Sequence, residues 1–166
     1  MDESPEYVIE RTFAAPQALV WRAWTDPELL STWYGPGVET IIHQFDLKPG
    51  GAWHNEMIWG GNSNYSKMLF TEVDPPNKMV WHHHSCTDSN WDDMVNPMMA
   101  DWPRVLLTTV TFHPDGENTT VKLSQIPIDA SDAELACFAQ AMGGMSKGWG
   151  SGFAIIDDLL VRIQES

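Results

Sequence analysis

Three consecutive histidines, His82-His83-His84, are the residues whose types and spacing most directly suggest chemistry. They lie in a run of strand-forming residues, and alternate side chains of a strand point to opposite faces. His82 and His84 therefore share one face, where a zinc ion would need a further ligand, such as His43, His54 or an acid of residues 87–103. Because no motif with metal-ligand spacing occurs, we expect ordinary surface or pocket histidines and no metal.

The middle histidine, His83, falls on the same face of this strand as Met79 and Trp81. If that face is the concave one, His83 is a polar group in an apolar pocket, where it could orient a ligand. The same position also suits a buried histidine whose ring nitrogens are hydrogen-bonded to the backbone. Both interpretations stay open at the level of the sequence.

Other signatures of catalysis are absent from the sequence. Cys86 and Cys137 have no local nucleophile signature, and no Gly-x-Ser-x-Gly motif occurs. Ser151 lies inside a predicted helix, and no glycine-rich phosphate loop follows a strand. The sequence therefore predicts no catalytic residues and no cofactor.

The chain of 166 residues is acidic, with 23 Asp and Glu against 9 Lys and Arg and a formal net charge of −14. Phosphate backbones and anionic membrane surfaces are bound by clustered basic residues, so we expect neither nucleic acid nor a membrane as a partner. The N-terminal residues are acidic and no apolar run is long enough for a membrane helix. We expect one domain over residues 1–166, located in the cytoplasm.

The pattern along the chain predicts a strand, two short helices, six further strands and a long C-terminal helix. The predicted helices after the first strand cover residues 16–25 and 27 to the residue before Gly35. Turns are expected at Gly60–Asn64 and His113–Asn118, and residues 87–103 are predicted to form a long loop. The strands are predicted at 7–13, 38–47, 51–59, 65–74, 78–86, 104–113 and 118–126.

The C-terminal helix is predicted from a cap at Ser131 or Asp132 to about residue 164. Its apolar residues recur every three or four positions, so this face must be buried against the sheet. Its glycines cost about 0.5–1 kcal/mol each in helix propensity. They indicate either open volume beneath the helix or a break into two shorter helices. The apolar residues are Leu135, Phe138, Met142, Met145, Trp149, Phe153, Ile156, Leu160 and Ile163, and the glycines are Gly143, Gly144, Gly148, Gly150 and Gly152.

Several motifs, spread over nearly the whole chain, resemble those of a known family. They are Arg11-Thr12-Phe13-Ala14-Ala15-Pro16, Val20-Trp21-Arg22-Ala23-Trp24-Thr25-Asp26-Pro27-Glu28, Trp33-Tyr34-Gly35-Pro36, Asp46-Leu47-Lys48-Pro49-Gly50-Gly51-Ala52-Trp53, Val73-Asp74-Pro75-Pro76 and Gly148-Trp149-Gly150. With these motifs the chain resembles the homologues of the activator of heat-shock-protein-90 ATPase, within the START-like helix-grip superfamily. The resemblance implies an α+β helix-grip fold, in which a curved antiparallel sheet of about six or seven strands wraps around the long helix.

This resemblance also implies an apolar cavity between the sheet and the C-terminal helix. We expect a small hydrophobic molecule, a lipid or an aromatic metabolite, to bind there. The alternatives are a cyclase or hydratase that uses the same pocket, and a chaperone-associated protein-binding module. Activation of the chaperone itself is not expected, because the namesake activator carries a further N-terminal domain. The predicted lining residues are Trp53, Met57, Met68, Phe70, Trp81, His83, Val110, Phe112, Met142, Met145, Trp149 and Phe153.

Two tryptophans, Trp91 and Trp102, fall in the predicted loop over residues 87–103. Exposed aromatic side chains of this size are typical of an interface or a lid. The loop is therefore expected to provide either a homodimer contact or a cover for the pocket.

Overall fold

The computed structural model describes residues 5–35, 37–96 and 99–165. Ten elements follow one another in the predicted order. They are β1 (Tyr7–Phe13), α1 (Gln17–Thr25), α2 (Pro27–Trp33), β2 (Glu39–Phe45), β3 (Ala52–Trp59), β4 (Asn62–Asp74), β5 (Lys78–Thr87), β6 (Val105–Asp115), β7 (Asn118–Pro127) and α3 (Asp132–Glu165).

The seven strands form one open, curved antiparallel sheet in the order β1-β7-β6-β5-β4-β3-β2. The first strand therefore pairs with the last, and α1 and α2 lie in the long connection from one edge of the sheet to the other. Register shifts between Ile42 and Gln44 and within the β4–β5 pair mark irregularities of the bulge type, which bend strands. The predicted α+β helix-grip fold is confirmed.

Local sequence explains where the helices begin. The Asp26 side chain accepts a hydrogen bond from the Glu28 backbone N–H at the start of α2, and Pro27 occupies the first helical position. At the start of α3, Ser131 and Glu134 form a reciprocal capping box: the Glu134 N–H donates to Ser131 Oγ, and the Ser131 N–H donates to the Glu134 carboxylate.

The turn between β3 and β4 is shorter than the sequence predicted. It consists of Gly60 and Gly61, whose φ angles of 59° and 81° suit the tight hairpin turns that glycine favours. Asn62–Asn64, assigned to the turn from their composition, instead pair with Met57–Trp59 and extend β4. Backbone pairing outweighs the weak intrinsic preference of Asn and Ser for turns at these positions.

The core lies between the concave face of the sheet and the helices, and Phe153 of α3 is at its centre. Its ring is fully buried and contacts four other aromatic rings at centroid distances of 5.6–6.4 Å. These rings come from β1, α1, α2 and α3 itself, so this residue joins the long helix to the rest of the fold. They belong to Phe13, Trp24, Trp33 and Trp149.

The long helix α3 is continuous over 34 residues despite its glycines. The alternative of two shorter helices is therefore wrong. A Cβ atom added at Gly143, Gly144, Gly148 or Gly150 would meet nothing within 4 Å, so open space lies beside these positions.

Within the described ranges no helix has the length and apolarity needed to cross a membrane.

We expect Phe153→Ala to lower the free energy of unfolding by roughly 3–5 kcal/mol, because it removes a buried aromatic ring and leaves a cavity. Val161→Ala is the control on the same helix, since Val161 is 53% exposed, and it should change the stability by less than about 1 kcal/mol. Urea unfolding followed by circular dichroism measures both. Equal losses in the two variants would contradict the central position of Phe153.

Candidate ligand-binding site

An apolar cleft of about 230 Å³ opens between the end of α2, the end of β3 and the middle of α3. Its walls carry two indole rings, a phenol ring and two thioethers, and no charged side chain is among the described lining residues. The lining residues are Trp33, Tyr34, Gly35, Met57, Met145, Gly148, Trp149 and Gly152.

Glycines shape this cleft in two ways. Gly35 has a φ of +74°, a left-handed conformation that favours glycine, and its lack of a side chain lets the chain after α2 pass close to Met57 Sδ. Gly152 lets α3 approach α2, because a Cβ would lie 3.1 Å from the Trp33 carbonyl oxygen. Gly148 instead faces open space, and its missing side chain keeps the cleft open.

A second, shallower groove of about 540 Å³ lies on the other side of Met145. It runs between α3, Ser85 of β5 and the segment that carries Trp102. The Trp102 indole N–H donates to Ser85 Oγ at 3.1 Å, and its ring packs on Phe138 at a centroid distance of 5.6 Å. Met145 lines both the cleft and the groove and separates the two spaces.

His83 lies on the concave face of the sheet, directly opposite the buried residues Met68 and Leu106. The Trp81 indole N–H donates to His83 Nδ1 at 3.3 Å, which leaves the ring hydrogen on Nε2. Burial, reinforced by the neighbouring His84, lowers the pKa of His83 to about 4. His83 is therefore a neutral imidazole near pH 7, with Nε2–H as its donor.

Two buried polar residues, Asn55 and Ser66, share this face and were missed by the sequence analysis. They lie directly opposite each other on β3 and β4 and are 0% and 3% exposed. Among the described residues, neither the Asn55 amide nor Ser66 Oγ has a hydrogen-bond partner. The sequence could have indicated Asn55, because strand alternation places it between Trp53 and Met57 on one face, as an amide in an otherwise apolar row.

The predicted lining residues divide between the cleft and the core. Met57, Met145 and Trp149 line the cleft, whereas Met142 is partly buried against the core. Cleft residues absent from the prediction are Trp33, Tyr34, Gly35, Gly148 and Gly152. The predicted residues that lie buried in the core are Trp53, Met68, Phe70, Trp81, Val110, Phe112 and Phe153.

Two of the other histidines, His84 and His43, form local pairs with acids. His84 Nδ1 lies 2.9 Å from Asp93 Oδ1, and His43 Nε2 lies 2.7 Å from Glu56 Oε1. Hydrogen bonds from Ser63 and His43 lower the pKa of Glu56, which keeps its carboxylate ionised. In the described part of the chain, no group of three or more His, Cys, Asp or Glu side chains is placed to hold a metal ion.

Trp91 covers the convex face of the sheet rather than the cleft. It adopts a positive φ of 67° and stacks on the His54 ring with a centroid distance of 4.4 Å and an interplanar angle of 15°. Tyr65 contacts the same indole edge-on at 5.4 Å. Of the two loop tryptophans, Trp102 is therefore the one that borders a cavity on the helix side of the sheet.

A protein-family model described as "Activator of Hsp90 ATPase homolog 1-like protein" matches residues 14–161. The chain belongs to this family. The resemblance drawn from the sequence motifs is thereby confirmed, and the match includes every residue of the cleft.

Solved structures of similar proteins share the helix-grip fold. Protein Ms6760 from Mycobacterium smegmatis is 25% identical with a TM-score of 0.78, over 95% of this chain and 91% of that one. A protein from Arthrobacter aurescens is 20% identical with a TM-score of 0.80, over 96% and 87%. Protein NE0264 from Nitrosomonas europaea is 23% identical with a TM-score of 0.74, over 100% of both chains. No curated protein matched the chain.

The lowered pKa of His83 predicts a pH-dependent stability. The unfolded chain takes up a proton near pH 6.5, whereas the folded chain does so only near pH 4. The free energy of unfolding should therefore fall as the pH drops from about 6.5 to 4, and this contribution should level off below pH 4. In His83→Asn the loss over this range should be smaller.

Urea unfolding of both proteins at half-unit steps from pH 8 to pH 4 measures this difference. Above pH 7 the imidazole is neutral in both states, so the difference between the proteins there reports packing alone. Stability curves that stay parallel down to pH 4 would contradict a depressed pKa at His83.

Proposed function

We propose that this chain binds a small hydrophobic molecule, a lipid or an aromatic metabolite, in the cleft between the sheet and α3. The observation that carries the proposal is the open apolar cleft itself, with Gly148 facing empty space in its wall. Its volume of about 230 Å³ is slightly below the roughly 300–1,000 Å³ of typical ligand pockets, which suits a small ligand.

The side chains of the cleft suit an apolar ligand. Trp149 is held by Trp24, on which it stacks at a centroid distance of 6.2 Å and an angle of 16°, so one wall is a supported aromatic surface. Met57 and Met145 provide pliable thioethers that adapt to ligands of different shape. Burial of apolar ligand surface then supplies the free energy of binding, at about 25 cal/mol per Å².

An enzyme of the cyclase or hydratase type is the first alternative. It requires a histidine and a carboxylate within hydrogen-bond reach inside the cavity. His83 is instead hydrogen-bonded to the Trp81 indole, and in the described part of the chain no carboxylate is hydrogen-bonded to it. This arrangement supports binding rather than proton transfer.

Protein binding through the loop after β5, in a chaperone-associated role or as a homodimer contact, is the second alternative. The two tryptophans that suggested it are engaged within the chain, Trp91 with His54 and Trp102 with Phe138. These contacts favour a structural or covering role for the loop. A homodimer and a cytoplasmic location stay predictions.

Filling the cleft from α3 tests the proposal. We expect Gly148→Leu to weaken binding of the neutral fluorescent probe N-phenyl-1-naphthylamine at least tenfold, because the new side chain occupies the space where the probe binds. Replacement of a helix glycine also favours the helix by up to about 1 kcal/mol, so loss of folding is not expected. Fluorescence titration measures the dissociation constant.

Gly143→Leu is the matched control. Gly143 lies on the same helix, also faces open space and is not part of the cleft lining. Its substitution should change the dissociation constant of the probe less than twofold. Equal binding by wild type, Gly148→Leu and Gly143→Leu would place the probe outside the cleft and overturn the proposal. If the variants behave as expected, organic extraction of protein from its own host, followed by mass spectrometry, names the natural ligand class.

A further inference from the structure

Tyr34, the residue that directly follows α2, is held firmly in the wall of the cleft. Its backbone N–H donates to the Leu30 carbonyl oxygen at 3.0 Å, and its own carbonyl oxygen accepts a hydrogen bond from Thr40 Oγ1 at 2.6 Å. Its phenol ring packs edge-on against three indole rings at centroid distances of 4.9–5.9 Å, so the ring is fixed relative to the cleft. These indole rings belong to Trp33, Trp53 and Trp149.

The hydroxyl of Tyr34, in contrast, has no hydrogen-bond partner among the described residues. Buried phenols usually have one, and Tyr7, whose hydroxyl donates to Ser146 Oγ at 3.1 Å, follows this rule. Tyr34 is only 8% exposed, but it lines the cleft and its Oη keeps accessible surface. The hydroxyl is therefore within reach of a molecule that enters the cleft.

The other walls of the cleft leave this role to Tyr34. The Trp33 indole N–H already donates to the Ala23 carbonyl oxygen at 2.8 Å. The described lining residues include no Asp or Glu and no side-chain amide. Because a phenol hydroxyl donates one hydrogen bond, a ligand that carries an acceptor gives it a partner, whereas a pure hydrocarbon leaves it unpaired.

The surroundings of the hydroxyl favour a neutral acceptor. Burial raises the pKa of Tyr34 well above its ordinary value, so the hydroxyl keeps its proton and stays a donor near pH 7. The described lining residues include no Lys or Arg. A carboxylate placed here would lose its hydration without a cation to replace it, which is strongly unfavourable.

We propose that the Tyr34 hydroxyl orients the ligand in the cleft by donating a hydrogen bond to a neutral acceptor, the carbonyl oxygen of a ketone or an ester. The inference rests on the proposed binding of an apolar molecule and specifies one functional group of that molecule. The apolar part of the ligand lies against Trp149 and Met57. The ionised form of an aromatic or fatty acid is selected against.

Two ligands of nearly the same shape test the hydrogen bond. 2-Acetylnaphthalene carries a ketone oxygen where 2-isopropenylnaphthalene carries a methylene group, and displacement of N-phenyl-1-naphthylamine at pH 7.5 measures the affinity of each. Tyr34→Phe removes only the hydroxyl. It should weaken binding of the ketone at least fivefold, because the buried carbonyl then lacks its partner, and leave binding of the hydrocarbon within twofold of wild type.

Tyr65→Phe is the matched control, because Tyr65 contacts Trp91 on the other face of the sheet. It should change neither affinity by more than twofold. Equal effects of Tyr34→Phe on both ligands, or no effect on either, would overturn the proposed hydrogen bond while leaving apolar binding in place. Failure of the probe to bind wild-type protein at all would overturn the proposed function and this inference together.

The charge preference and the donor have readouts of their own. 2-Naphthoate, which places a carboxylate on the same ring system, should bind wild-type protein at least tenfold more weakly than the ketone, and a preference for it would contradict a neutral acceptor. In infrared spectra of the bound ketone, the carbonyl stretch should lie at a lower wavenumber in wild type than in Tyr34→Phe. The same wavenumber in both proteins would contradict donation by Tyr34.

Thermal unfolding separates this role from a structural one. Tyr34→Phe removes a hydroxyl without a partner, so it should leave the melting temperature unchanged or raise it. Tyr7→Phe breaks the hydrogen bond to Ser146 and should lower the melting temperature. If Tyr34→Phe instead melts at a lower temperature and retains full affinity for the ketone, the hydroxyl stabilises the fold and the inference is wrong.

Discussion

The contact of Phe153 with the aromatic rings of β1, α1 and α2 is the interaction on which the rest of this structure depends. It fixes the C-terminal half of α3 against the first strand and the two short helices. The sheet then curves past the remainder of the helix, whose glycines face open space at Gly143, Gly144 and Gly148. Of these glycines, Gly148 lines the cleft, which opens just before the firmly held part of the helix.

The cleft lies at the margin of the core, and this position explains why its aromatic wall is firmly held. Towards Trp24 and Trp149 the walls are stacked aromatic rings that packing holds in place. The polar residues His83, Asn55 and Ser66 lie on the same face of the sheet but are not among the described lining residues of the cleft. An apolar space with walls held by packing is typical of sites that bind mainly by burial of apolar surface.

Much of the fold could be predicted from the sequence, because its signals are local. The stripe from Leu135 to Ile163 required one long buried helix, and alternation placed His83 on the face of Met79 and Trp81. The site was harder to predict, because alternation predicts the face of the sheet on which a side chain lies but not whether neighbouring side chains bury it. Trp81 lies on the same face of the sheet as Met57, yet neighbouring aromatic rings bury it, whereas Met57 lines the cleft. Whether a helix glycine packs closely or leaves a gap depends on tertiary distances that no sequence pattern encodes.

The open space beside Gly148 has an evolutionary consequence. The size of the cavity depends on a missing side chain on one helix, while the aromatic cluster that holds the fold together lies elsewhere. A single substitution at this position resizes the cavity without disturbing the core. The cleft and the core therefore depend on different residues, so that the cleft can vary while the fold is kept, as the fold is in solved relatives of 25% and 20% identity.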